Sequence, residues 1–293
     1  MGEGIHSLNN ERPAIAKRIL STLATIEYLG APPDLSARVL SKVNDGKSSA
    51  DDIADIVLCS PAISASLLKL CNSAYYARGE SIDSVSGAIV HLGLKTVVQF
   101  VYAMDMMGVF RGGRNAPGFD EAAFWKSSLA GAMLAREIAA DSDIADAEPL
   151  FLAGLLRDIG VLILRQYFPD LFADALERAG QTHAGFDDAC AAVCGLDHRS
   201  IAFLLAMRWK LPPSITAIFQ PPALGMARYE KVVMHRNIVL FSDYLLKVKK
   251  TYAWDPYAGP DPKVGATLYM AAEKIDELIS RIVTEVNEFY SSL

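Results

Sequence analysis

The sequence is short of cysteine, of excess positive charge and of long apolar runs, and each shortage removes a class of protein. Four cysteines (Cys59, Cys71, Cys190, Cys194) in 293 residues are too few for a disulfide scaffold. A net charge of −6 argues against non-specific nucleic-acid binding, which relies on Lys and Arg to neutralise phosphates. The cluster Lys247, Lys249 and Lys250 reads as a solvated helix end. No apolar run reaches the roughly 18 residues of a membrane span, and the stretch Val97 to Phe110 is too short and carries Asp105. The N-terminus MGEGIHSLNN lacks the charged-then-apolar layout of a signal peptide. A soluble, cytoplasmic protein is expected, with neither nucleic acid nor membrane as partner. Nucleophile motifs and Gly-rich phosphate loops are missing too: Arg111-Gly-Gly-Arg114 has the wrong spacing and no strand before it.

Helical signals, by contrast, recur almost without interruption. Apolar positions at helical spacing run over 13–29 and stop at Gly30 and the Pro32-Pro33 pair. Leu35 to Val43 follows, then Ser49 caps Ala50 to Leu58 with Asp51 and Asp52 in the first turn, where they suit the helix dipole. Ser60-Pro61 restarts a helix to Ala74. Ser84 starts another that Gly93 ends, and Leu94 to Phe110 is the next. The segment RGGRNAPG (111–118) is the clearest linker in the chain. It divides the sequence into an N-terminal helical lobe, 1–112, and a second lobe, 113–293. The second lobe reads as helices over Glu121–Ala140, Glu148–Phe168, Pro169–Ala179, Phe186–Cys194, His198–Lys210, Ser214–Phe219, Lys231–Lys250, Val264–Ala271 and Ala272–Tyr290. Strand patterns are scarce, so the expected fold is all-α and two-lobed, packed as one module.

Within this order Glu148 to Phe168 stands out. EPLFLAGLLRDIGVLILRQYF reads as one apolar helix with Arg157 and Asp158 at its middle. Apolar residues surround that pair on nearly every side, so it is expected to lie inside the protein. Two buried charges need partners, a metal or a function.

Five segments resemble the HDOD family, the HD-related output domains of bacterial signalling proteins. SPAISASLLKLCNSA (60–74) resembles "DPAL…LLRLANSA", with Ser60 where the pattern has Asp. AIVHLGL (88–94) resembles "AI…LG", and FWKSSLA (124–130) resembles "W-x-H-S-L-A". GLLRDIG (154–160) resembles "GLLHDIG". Finally, Gly195-Leu-Asp-His198 with Trp209-Lys-Leu-Pro212 resembles "G-x-DH…W-x-LP". They stand in the family's order and span about residues 25 to 245.

The resemblance implies a multi-helical HD-like fold. It also implies descent from enzymes whose His and Asp side chains hold divalent metals and activate water against phosphoesters. Residue by residue, Ser127 stands at the first ligand His, Arg157 at the His of the HD pair, and Asp158 keeps the Asp. Asp243 matches the later Asp, His198 matches the additional His of two-metal relatives, and their His-His pair falls near Gln220. A guanidinium neither ligates metal nor loses its proton in a protein. Arg157 is therefore expected to substitute for the metal by pairing around Asp158 and particularly with Asp243, leaving no cofactor, no metal and no catalytic residue.

Function is then expected to be non-catalytic signal transduction through proteins acting in trans. Two readings stay open beside it: a residual metal-dependent phosphohydrolase using Asp158, His198 and Asp243, and a nucleotide or small-molecule sensor in which Arg157 pairs with a phosphate. Asn72, Ser73, Tyr76 and Arg78 form a candidate partner surface, capping and inter-lobe hydrogen bonds being the commoner role for the first two. The spacing of Cys190, Cys194 and His198 superficially suggests a metal, but Gly195 interrupts the helix and no fourth ligand is evident. The cysteines read as buried and apolar.

Overall fold

Short polar residues set where the helices begin. In the computed structural model Ser49 and Asp52 bond reciprocally, Asp52 N–H to Ser49 Oγ at 3.2 Å and Ser49 N–H to Asp52 Oδ2 at 2.9 Å. The side chains of Ser60 and Ser84 accept from the amides of Ile63 and Gly87, and Pro61 opens the helix after Ser60. Each cap satisfies an amide that the helix itself leaves without a partner. The structure describes residues 2–25, 34–44, 49–74, 76–77, 79, 81–110, 116–141, 148–220, 230–252, 254–255 and 270–293. Among these the fold is all-α with no strand.

The helices are α1 (Gly2–Thr25), α2 (Asp34–Asn44), α3 (Ala50–Leu58), α4 (Pro61–Cys71), α5 (Val85–Leu92), α6 (Leu94–Val109), α7 (Glu121–Asp141) and α8 (Glu148–Leu156). They continue with α9 (Ile159–Tyr167), α10 (Pro169–Thr182), α11 (Phe186–Cys194), α12 (His198–Arg208), α13 (Pro213–Phe219), α14 (Glu230–Val248) and α15 (Ala272–Ser291). The helix expected over Val264–Ala271 falls largely outside the described residues. Among the described residues no single helix is long and apolar enough to cross a membrane, although two bent pairs, α5–α6 and α11–α12, have the length and composition together.

Two compact units result. One comprises Met1–Ala31 with Gly112–Ala271, the other Pro32–Arg111 with Ala272–Leu293. Each terminal segment thus joins residues far from it in sequence. Helix α1 packs on α11, and α15 packs on α4. The reason is local: α15 buries Ile282, Val286 and Phe289 in the second unit, where Phe289 and Phe100 lie 4.9 Å apart, centre to centre. An amphipathic terminal helix has an apolar face in its sequence but not the address of the surface that receives it.

In the first unit α7 and α8 lie side by side, with α14 and α13 against both or one of them. Helices α9 and α12 pack together, and α10 and α11 pair beside them. This places the turn between α8 and α9 next to the start of α12 and the middle of α14.

Candidate functional site

The helix expected over Glu148–Phe168 is broken in two. Helix α8 ends at Leu156 and α9 begins at Ile159, with Arg157 and Asp158 forming a turn between them. Asp158 has φ −105° and ψ 12°, the sparsely populated bridge conformation in which many active-site residues sit. At the break Arg157 Nε and Nη2 both donate to Asp158 Oδ2, at 3.0 and 2.7 Å.

Two glycines let the rest of the site close in. A Cβ on Gly160 would stand 2.0 Å from the carbonyl oxygen of His198, so α9 and α12 can approach this closely only without one. A Cβ on Gly131 of α7 would stand 2.7 Å from Arg157 Nη1, so the guanidinium occupies the space that glycine leaves. Ser127 is buried on α7 one turn before Gly131.

Around that turn, six ionisable side chains close into a ring in which carboxylate and cation alternate. Arg157 Nη2 reaches Asp158 at 2.7 Å and Asp243 Oδ1, on α14, at 3.3 Å. Asp243 Oδ2 lies 3.8 Å from Arg199 Nη2, which lies 3.0 Å from Asp187 Oδ2 on α11. Asp187 Oδ1 is 2.7 Å from His198 Nδ1, a close ion pair off the line of a hydrogen bond. His198 Nε2 returns to Asp158 Oδ1 at 3.0 Å. Lys247, one turn after Asp243, adds a contact of 2.9 Å to Asp243 Oδ2. Arg157, Asp158 and His198 are 2%, 4% and 2% exposed, so these charges depend on one another rather than on water.

The electrostatics follow from the ring. Burial works against charge at His198, but the Asp187 and Asp158 carboxylates outweigh it and raise the imidazole to about 9. Burial likewise opposes ionisation of Asp158 and Asp187. Arg157 and His198 hold Asp158 well below the ordinary carboxylate range, and His198 with Arg199 does the same for Asp187. At neutral pH His198 is therefore an imidazolium, donating on one side and ion-paired on the other. Phe186 and Trp254 flank it, with ring centres 5.8 and 6.3 Å away.

These residues do not fit a divalent metal. Metal ligation needs a neutral imidazole with a free lone pair, and both ring nitrogens of His198 face carboxylates. Arg157 puts a permanent positive charge against the two carboxylates that the HD pattern would offer to the ion. Among the described residues no group of three or more His, Cys, Asp or Glu is arranged to hold a metal ion. Cys190 and Cys194 are free, buried thiols, and His198 is committed to Asp158 and Asp187.

Of the cleft residues expected from sequence, the structure joins Arg157, Asp158, His198 and Asp243. The emphasis within them is reversed: Arg157 pairs most closely with Asp158, and Asp243 is shared with Arg199 and Lys247. The main-chain carbonyl of Gln220 accepts from Arg236 Nη1 at 2.6 Å. Sequence reasoning missed Asp187 and Arg199. A signal existed for both, since Asp187 stands in the first turn of the α11 sequence FDDACAAVC and Arg199 directly follows His198.

In the second unit the candidate partner surface is largely turned to internal use. Asn72 Nδ2 donates to the carbonyls of Leu68 and Ile82, and its Oδ1 accepts from Ile82 N–H, all at 2.8 Å. The Tyr76 hydroxyl bonds to Glu285 on α15, and Ser73 Oγ is buried. Asn72 and Tyr76 thus brace their own unit; Arg78 lies outside the described residues.

The HDOD domain family model matches residues 29–220 of the chain. In fold, the chain is similar to an HDOD domain protein of Geobacter sulfurreducens, with a TM-score of 0.75 and 21% identity over 96% of this chain and 98% of that one. It is similar to a Marinobacter aquaeolei protein provisionally named a signal transduction protein, with a TM-score of 0.73 and 18% identity, covering 98% of this chain and 65% of that one. It is also similar to a Shewanella amazonensis protein provisionally named a phosphohydrolase, with a TM-score of 0.69 and 22% identity over 94% and 98% of the two chains. Among curated proteins, an uncharacterized protein of Treponema pallidum is 21% identical over 187 residues, 62% of this chain and 36% of that one. The match thus spans little more than a third of that relative's length.

Proposed function

Because the chain belongs to the HDOD family, we propose that it is a non-catalytic signal-transduction module acting on signalling proteins in trans. One observation carries this reading. The Arg157 guanidinium is held by Asp158 at 2.7 Å and Asp243 at 3.3 Å, where the HD pattern calls for a ligand histidine and a metal. A cation built into the chain neutralises those carboxylates but supplies neither an open coordination position nor an activated water. What it supplies is cohesion: the charge ring ties the α8–α9 turn, α11, α12 and α14 to one another. Such a body presents a fixed helical surface to a partner.

The test is a phosphoester hydrolysis assay on the purified chain. Phosphodiester and phosphomonoester substrates would be offered with Mg2+, Mn2+ and Zn2+ in turn. Turnover no higher than in the protein-free control is expected in every combination. Metal-dependent turnover that is abolished in Asp158→Ala would overturn the proposal and favour a phosphohydrolase.

A further inference from the structure

Beside the ring lies a small cavity of about 180 Å³ that no part of the ring explains. Arg157, Arg199 and Arg236 line it, with Asp197, Ser200 and apolar side chains of α13 and α14. Three guanidinium groups against one carboxylate is an unbalanced lining, and that carboxylate is occupied, Asp197 Oδ1 accepting from Ser200 N–H at 2.6 Å as the N-cap of α12. We propose that this cavity binds a phosphoryl group, with Arg236 as its principal cation and Arg199 and Arg157 as its walls.

Four observations point the same way. Arg236 donates to the Gln220 carbonyl, and among the described residues no carboxylate is ion-paired with it. Burial and then the neighbouring Arg199 depress its proton affinity more than the Asp197 carboxylate raises it. An unused donor stands close by: Arg199, which lines the cavity, keeps its Nε buried without a hydrogen-bond partner. The first turn of α12, where Ser200 stands, contributes the positive end of a helix dipole.

Size and chemistry select the occupant. Sites that enclose a whole drug-sized molecule run to roughly 300–1,000 Å³, so this cavity takes a single oxyanion group and leaves any attached body outside. A tetrahedral dianion with several acceptor oxygens can take donors from more than one guanidinium fork at once, which a halide cannot. The group comes either from inorganic phosphate or from a phosphate monoester such as a nucleoside monophosphate. This inference rests on the reading in which Arg157 remains in the ring and no metal is bound, so the experiment holds a chelator throughout its first arm.

Thermal unfolding of the full chain in EDTA is followed against sodium phosphate, with sodium chloride at matched ionic strength as reference. A ligand that binds the folded chain alone raises its melting temperature. A phosphate-specific rise of several degrees is expected, with affinity at least tenfold weaker in Arg236→Gln and partly retained in Arg236→Lys, each variant read against its own baseline. A parallel arm compares adenosine monophosphate with adenosine. A rise with the monophosphate alone identifies an ester as the source, whereas a rise with inorganic phosphate alone identifies the free anion; either supports the site. No rise beyond chloride, or an equal rise in Arg236→Gln, overturns it while leaving the proposed function intact. A rise that appears only when EDTA is replaced by Mn2+ contradicts both.

Discussion

Around Arg157 the polar groups are charges that share one another, most of them buried, whereas at Asn72 an exposed neutral amide ties the end of one helix to the loop that follows. Arg157, Asp158, His198, Asp187, Arg199 and Asp243 form a ring, so each charge has at least two counter-charges and none stands alone. Asn72 instead ties the end of α4 to Ile82 through its amide, and the Tyr76 hydroxyl ties to Glu285. The two arrangements should fail differently. Removing one member of a buried charge ring strands its neighbours in a poorly solvating interior. Removing one neutral hydrogen bond near the surface lets water replace it.

The largest expected effect is therefore Arg157→Met, which leaves Asp158 and Asp243 without their shared cation. A loss of about 3–5 kcal/mol in urea unfolding is expected; a loss below about 1 kcal/mol would mean that the ring is not the cohesive element described here. Gly160→Ala comes next. Its added methyl would meet the His198 carbonyl, main-chain atoms with nowhere to swing, and about 3 kcal/mol should be lost as α9 is pushed from α12.

The third prediction is a pH dependence. The folded-state pKa of His198 is raised to about 9, above the roughly 6.5 of an unfolded histidine. Its contribution is therefore fully present below pH ~6.5 and is lost as pH climbs towards 9, on the order of 3 kcal/mol in all. His198→Gln should remove that slope between neutral and alkaline pH, while Asn72→Ala should leave it in place. Asp158 and Asp187, whose pKa values are depressed, act with the opposite sign: their contribution is present above pH ~4 and is lost on further acidification. The smallest effect belongs to the second unit. Asn72→Ala should cost about 1–2 kcal/mol, read from a urea midpoint, with no change in the pH profile. An Asn72 variant as damaging as Arg157→Met would erase the distinction between the two regions.

Much of the helical order was legible because it is written locally. Ser49, Ser60 and Ser84 are caps in sequence and in structure, and Phe186–Cys194 begins and ends where its glycines stand. The break at Arg157-Asp158 was not legible, since GLLRDIGVL carries no proline and its glycines serve packing instead of ending a helix. Asp158, His198 and Asp243 could be found through the family pattern. Asp187 and Arg199 carried only a weak local signal, because a carboxylate in a helix's first turn and an arginine after a histidine look like ordinary solvated charges until α11 and α12 are packed. The placing of α1 and α15 was hidden for a similar reason: an apolar stripe requires burial without naming the surface that provides it.

The central claim is that the guanidinium of Arg157 fills the position of an ancestral metal. It is tested most directly by crystals grown with millimolar Mn2+ and measured at the manganese edge. The account predicts no anomalous peak between Asp158 and Asp243, with Arg157 in place between them. A strong peak there, with Arg157 turned away, would contradict it.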